Sequence, residues 1–180
     1  MSDLCIWITG LPSSGKTTLA LGLEKALRLR GLRPVVLDGD TLRNTLFPDL
    51  RYSRVDRTTQ GHRATYLAKL IQQAGGVPIV ALISPYKDDR AWARHELKGF
   101  VEVYLACPAS VCAERDPKGL WGKAMRGDIS QFTGHDDPYE VPDSPEVIVR
   151  TDLYGPERCV ELVMDGINWK DWDTSKAVPL

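Results

Sequence analysis

The residues Gly10-Leu11-Pro12-Ser13-Ser14-Gly15-Lys16-Thr17 match the pattern Gly-x-x-x-x-Gly-Lys-[Ser/Thr] at every position. Glycines at these places let backbone N–H groups turn inward. A helix opening at the end of the run adds its partial positive charge, so the loop suits a bound polyphosphate. Lys16 is then placed to reach the β- and γ-phosphates, and the Thr17 hydroxyl to ligate magnesium, with Thr18 in the same first turn. A glycine turn before an ordinary helix is the plainer alternative. The complete match, a buried strand before it and a helical pattern after it weigh against that alternative. The loop implies a nucleoside triphosphate site.

A second pair of groups follows another apolar run. Asp38 and Asp40 are two residues apart in Asp38-Gly39-Asp40. At the carboxyl edge of an open α/β sheet they face the phosphate loop across the ligand crevice. In that place Asp38 can join Thr17 at the magnesium ion, and Asp40 can accept a proton from an attacking hydroxyl. A solvated turn is the alternative, weakened by the phosphate loop opposite. A guanine-nucleotide switch would carry Asn-Lys-x-Asp after a late strand, and the sequence has none. The third apolar run also ends in Ile83-Ser84-Pro85 rather than in an acidic residue. A kinase outweighs a switch.

The elements that must position these groups alternate short β-rich runs with helical periodicity, which predicts an α/β domain on a parallel sheet. Strands are expected at 4–9, 34–37, 77–83, 100–106 and 147–151. Helices are expected from Leu19 to Arg30, over Ala64 to Ala74, from Asp88 to Leu97 and from Pro156 to Ile167. The stretch 116–143 is polar and poorly periodic, and reads as a lid. The domain is set at 1–168 and a loosely docked tail at 169–180.

Composition fits one soluble domain of 180 residues with 24 acidic and 23 basic side chains, a net charge of −1. That balance argues against a nucleic-acid or membrane-surface binder. No apolar run approaches a membrane span, and the first residues lack the pattern of a secretory signal. Cys5, Cys107, Cys112 and Cys159 form no Cys-x-x-Cys pair and read as buried thiols in a reducing cytoplasm.

Longer strings now add to the phosphate loop: Asp38-Gly39-Asp40 with Arg43, Tyr52-Ser53-x-x-Asp56-Arg57, Ile83-Ser84-Pro85-Tyr86 with Asp89-Arg90, Arg115-Asp116-Pro117-Lys118-Gly119-Leu120, and Phe132-Thr133-Gly134-x-Asp136-Asp137-Pro138-Tyr139-Glu140. In collinear order from Ile6 to about Asp152, they resemble the adenylylsulfate kinase family of P-loop kinases. The resemblance implies a doubly wound, five-stranded parallel sheet in the order 2-3-1-4-5, with helices on both faces and a lid. It implies that magnesium-ATP phosphorylates the 3′-hydroxyl of adenylyl sulfate in sulfate assimilation, with no nucleic-acid or membrane partner and with a homodimer as one arrangement.

The resemblance also assigns roles. Arg43 and Arg57 match arginines that hold the phosphosulfate, for which a guanidinium fork is suited. Tyr52, at a usual phenylalanine position, and Phe132 would sandwich the acceptor's adenine. Asp38, Ile83, Ser84 and the lid's Lys118 join the acceptor side, Lys123 and Arg126 are further lid cations, and Arg115 flanks the ATP base. The residue matching Ser84 has been designated a phosphoserine intermediate. Direct transfer needs no such intermediate, and no neighbouring histidine or lysine in the sequence would activate Ser84. His62 and His95 read as solvated helix positions.

Two departures bear on the acceptor. Gln60 stands where an asparagine contacts substrate, with the same amide one methylene further out, so Gln60→Asn is expected to be neutral or mildly beneficial. Ser130 replaces a lysine. The alternative is therefore a divergent kinase for another nucleotide-like anhydride in specialised metabolism, followed by a non-catalytic regulatory nucleotide binder.

Overall fold

A computed structural model describes residues 3–169. Its centre is a five-stranded, wholly parallel sheet in the order β2-β3-β1-β4-β5. The strands are β1 (Cys5–Gly10), β2 (Pro34–Asp38), β3 (Val77–Ala81), β4 (Phe100–Leu105) and β5 (Val147–Val149). The helices are α1 (Lys16–Leu29), α2 (Gly39–Thr45), α3 (Arg54–Gln73), α4 (Lys87–Glu96), α5 (Ala109–Arg115), α6 (Leu120–Met125) and α7 (Pro156–Gly166).

Side chains alternate across β1, and both of its faces are covered. Leu4, Ile6 and Ile8 enter one core with Leu19, Leu23 and Leu27 of α1 and Val163 of α7. Cys5 and Trp7 enter the other with Ala64 and Ala68 of α3 and Ala93 of α4. Burial on two faces explains why these strands read as continuous apolar runs rather than alternating ones. All four cysteines are buried and unpaired.

The expected strands and their order are present, with β3 and β5 each ending two residues earlier than expected, at Ala81 and Val149. The expected helices are present, but α2, α5 and α6 are additional, and α3 starts at Arg54 rather than near Ala64. The added pieces are short, or polar on the face toward the site, so hydrophobic period does not reveal them. Side-chain bonds to the first N–H groups help open α3 and α6. Ser53 Oγ accepts from Asp56 N at 3.2 Å to open α3. Asp116 accepts from Trp121 N and Gly122 N, at 3.1 and 3.0 Å, to open α6.

The lid stretch is thus partly regular. It also carries its own small core, in which Trp121, Ala124 and Phe132 pack with Cys107 and Cys112. His62 stacks on Trp92 at 3.9 Å between ring centroids instead of standing free in solvent. Trp169 donates from Nε1 to Met164 O at 2.7 Å and lies under Arg30, so it is docked. The rest of the expected tail lies outside the described residues.

Candidate active site

The phosphate loop leaves the carboxyl end of β1. Gly15, with φ of 96°, caps α1 in a left-handed conformation that a side chain would strain. Lys16 folds back over the loop, its Nζ donating to Gly10 O at 3.0 Å and to Leu11 O at 2.6 Å. Burial is the main influence on this ammonium and lowers its pKa to about 8, against the opposing pull of Asp40 and Asp38. Thr151, just beyond β5, donates from Oγ1 to Ser14 O at 2.8 Å. Arg115 in turn donates to the Thr151 hydroxyl at 3.2 Å and carbonyl at 2.6 Å, which fixes the guanidinium beside the loop.

Asp38 ends β2 and holds two elements at once. Its Oδ1 accepts from the N–H groups of Asp40 and Thr41, 3.1 Å each, capping α2. Its Oδ2 accepts from Thr17 Oγ1 at 2.7 Å. Asp40 sits in the first turn of α2 and is ion-paired with Lys118 of the lid. That pair raises the Lys118 pKa, since Asp40 favours the charged amine.

At the opposite end, Arg43 of α2 and Arg57 of α3 are both buried, and burial works against both charges. Each lies over the Tyr52 ring, at 4.7 and 5.7 Å from its centroid. Arg57 donates to Tyr52 O at 2.9 Å and to Gln131 O of the lid at 2.7 Å, and pairs with Asp137 at 3.7 Å. Gln60, one turn along α3, is bonded to Arg43 and to Gly39 O. Tyr52 is 53% exposed while Phe132 is 7% exposed, so one plate is open and the other is half spent on the lid core, edge-on to Trp121.

Ser84 adopts φ of 43° at the end of the β3 crossing. Its Oγ accepts from the buried Trp7 Nε1 at 3.1 Å, and its carbonyl accepts from Arg90 Nη1 at 2.6 Å. The same guanidinium reaches Glu140 O at 2.6 Å and Glu102 at 2.9 Å. Arg90 therefore ties the Ser84 turn to the foot of the lid.

The Phe-Thr-Gly to Tyr-Glu string is chiefly an anchor. Asp136 accepts from Gln131 N and Phe132 N at 2.7 Å each. Asp137 accepts from Tyr86 OH at 3.2 Å, and Tyr139 OH bonds Thr9 Oγ1 at 2.8 Å. Gly134, with φ of 93°, takes a conformation that a side chain would strain, and a Cβ there would press on the Leu11 side chain of the phosphate loop at 2.8 Å. Trp121 Nε1 closes the join by donating to Pro12 O at 3.2 Å.

One cavity of about 1040 Å³ connects both ends. It is lined by Pro12, Ser13 and Gly15 to Thr18 of the loop, by Asp38 and Asp40, and by Arg43, Tyr52, Arg57, Gln60 and Phe132. Ile83, Ser84, Arg115 and Lys118 also face it. Gly10, Leu11 and Ser14 support the loop without lining the cavity, and Lys123 and Arg126 do not line it either. Thr151, Tyr154 and Pro156 also line the cavity without having been singled out in the sequence. Their signal is positional, since they follow β5 at the sheet's carboxyl edge, where ligands bind in such folds. That volume is at the upper end of what small-molecule sites occupy.

A sequence model of the family described as adenylylsulphate kinase matches residues 2–150. A probable adenylyl-sulfate kinase of Pyrococcus abyssi is 46% identical over 164 residues, covering 91% of this chain and 94% of its own length. The adenylyl-sulfate kinase of Clostridium kluyveri is 45% identical over 170 residues, covering 94% of this chain and 85% of its own. Among solved structures, the Mycobacterium tuberculosis APS kinase in complex with AMPPNP and APS superimposes with a TM-score of 0.87. Its identity is 36%, and the match covers 92% of this chain and 97% of that one. On sequence and on fold alike, this chain belongs to the adenylylsulfate kinase family.

Proposed function

We propose that the chain transfers the terminal phosphoryl group of ATP to the 3′-hydroxyl of adenylyl sulfate, giving ADP and 3′-phosphoadenylyl sulfate. The observation that carries this reading is the single cavity that runs from the phosphate loop, past Asp40, to two buried arginines beside an aromatic ring. The tuberculosis relative, solved with an ATP analogue and adenylyl sulfate together, supports two ligands in such a cavity.

The chemistry assigns each end a task. The loop's N–H groups and Lys16 hold the β- and γ-phosphates and offset charge as the terminal group moves. Arg43 and Arg57 hold the anionic phosphosulfate, while Tyr52 and Phe132 take the adenine faces. Asp40 accepts the 3′-hydroxyl proton as that oxygen bonds the γ-phosphorus and the bond to ADP breaks. For this, Lys118 must first leave Asp40, and the incoming phosphates give the ammonium another anionic partner.

Magnesium fits the donors present. Among the described residues no cluster of three metal-binding side chains exists. Thr17 and Asp38 nevertheless bring two hard oxygens 2.7 Å apart to the cavity. One or two protein oxygens plus phosphates is how this ion is usually held. Thr17 and Asp38 would hold it, and when bound it would neutralise charge on the β- and γ-phosphates.

The catalytic unit in this reading is the single domain with 116–143 as its lid. Val55, Tyr66 and Leu70, exposed along α3, support self-association as a homodimer. No described helix is long and apolar enough to cross a membrane.

An ADP-release assay against a panel of acceptors tests the reading. Release should require adenylyl sulfate, and the product should carry a new phosphate on the 3′-oxygen by phosphorus NMR. Release driven only by a different anhydride would replace this function with that of a divergent kinase. Release indifferent to every acceptor would indicate a regulatory ATPase.

A further inference from the structure

We infer that Gln60 is a positioning residue that serves the acceptor by orienting Arg43 and the first turn of α2. This rests on the reading that Arg43 holds the acceptor's anionic group.

The geometry commits both ends of one amide. Gln60 Oε1 accepts from Arg43 Nη2, and Gln60 Nε2 donates to Gly39 O at 2.8 Å. Exchanging the two amide ends would set an N–H against a guanidinium and an oxygen against a carbonyl, so only one orientation is favourable. Gly39 lies between Asp38, which holds Thr17, and Asp40. Arg43 is one turn further along the same seven-residue helix. Gln60, only 8% exposed, therefore grips α2 at both ends from α3. The other terminal nitrogen of Arg43 is held by Arg51 O, so the guanidinium is fixed from two sides.

A neutral acceptor is the right partner for this task. It directs the guanidinium yet leaves its positive charge uncompensated for an incoming anion. A carboxylate at position 60 would neutralise Arg43 and meet Gly39 O with a second oxygen. Asparagine carries the same amide on a stem one methylene shorter, so from the same helix it reaches less far toward Arg43 and Gly39 O. On this inference Gln60→Asn loosens the hold on Arg43, where the sequence alone led to the expectation of a neutral change.

The test measures KM for acceptor and for ATP in wild type, Gln60→Asn, Gln60→Ala and Gln60→Glu, with thermal melts to confirm folding. Loss of one such bond corresponds to a few-fold to about tenfold effect. Acceptor KM should rise by about that factor in all three variants, including Gln60→Asn, while ATP KM stays within about twofold. Acceptor binding by calorimetry to Arg43→Ala, with and without Gln60→Ala, completes a double-mutant cycle. On the Arg43→Ala background, removing Gln60 should change acceptor affinity by less than about twofold. Wild-type kinetics for Gln60→Asn, or effects of the two removals that simply multiply, would overturn the inference. The acceptor used is whichever compound the panel identifies, so failure of adenylyl sulfate as substrate is read in wild type and is separate from failure at Gln60.

Discussion

At the donor end, eight consecutive residues, Gly10 to Thr17, form the phosphate cradle largely from backbone. At the acceptor end, Arg43, Tyr52, Arg57, Gln60 and Phe132 arrive from two helices, a connecting loop and the lid. The donor cradle needs little beyond a strand, a turn and a helix N-terminus. The acceptor chamber is held by side chains that reach across to distant backbone: Arg57 to Gln131 O, Arg90 to Ser84 O and Glu140 O, and Glu140 to Lys87 N. Chemistry written in contiguous backbone is stiff and local. Chemistry written in long side chains depends on many segments arriving together, which gives selection for an acceptor more places to act.

The sharpest break of this contrast is expected at Lys16, whose ammonium lies over the phosphate loop. Lys16→Ala should lower turnover by at least about 10³-fold, since electrostatic stabilisation is most of what a phosphoryl-transfer site supplies. The fold should survive, because both partners of Nζ are loop carbonyls. Steady-state kinetics beside a thermal melt decides the matter, and near-normal turnover in folded protein would remove the kinase reading.

Asp40 stands between the two ends, so its variant assigns it to one of them. Asp40→Asn keeps the shape of the first turn of α2 and removes the proton acceptor. Turnover should fall by roughly 10²-fold or more, with ATP affinity within a few-fold. Collapse of ATP binding with turnover preserved at saturation would make Asp40 a donor-end magnesium residue instead.

The same contrast sets what was legible in the sequence. The phosphate loop and the sheet are visible because a contiguous motif and two-sided strand burial leave strong local patterns. The arginines and aromatic plates come from resemblance, since no periodicity marks a polar side chain turned into a cavity. The first half of α3 is hidden for that reason: Arg57 and Gln60 face the site where apolar residues would have signalled a helix. α2 and α6 are hidden because one aspartate opens each short helix, Asp38 as the cap of α2 and Asp116 by accepting from Trp121 N and Gly122 N of α6. Phe132 is expected as a free plate, yet it lies edge-on to Trp121 at 5.0 Å because the lid needs a core of its own.

A smaller, graded effect follows from the burial of Lys16. Burial disfavours its charged form, so in the free protein the ammonium loses its proton as pH rises through about 8. Bound phosphates favour the charged form. ATP affinity should therefore be flat below that pH and fall by up to tenfold per unit above it, as binding takes up one proton. Calorimetry from pH 7 to about pH 9.5 in two buffers of different ionisation enthalpy reads both the affinity and the proton. Lys16→Arg should flatten the profile, because a guanidinium stays charged throughout this range. An unchanged wild-type affinity across the range would place the free-state titration outside it.

The smallest effect on turnover is expected at Ser84, an acceptor-end hydroxyl with the geometry of a support. Its Oγ faces the Trp7 indole N–H at 3.1 Å, and an N–H donor cannot take the proton that an attacking serine would need to lose. The positive φ of 43° and the Arg90 bond to its carbonyl instead fix the backbone that lines the acceptor chamber. Ser84→Ala keeps the backbone contact and leaves the buried indole N–H without its partner, which costs about 1–3 kcal/mol of stability. Turnover should stay within a few-fold of wild type while the melting temperature drops. Wild-type protein incubated with labelled ATP alone should carry no phosphate on Ser84 by peptide mass analysis. Stoichiometric label on that residue, able to pass to added acceptor, would replace direct transfer with a two-step route and move Ser84 from scaffold to nucleophile.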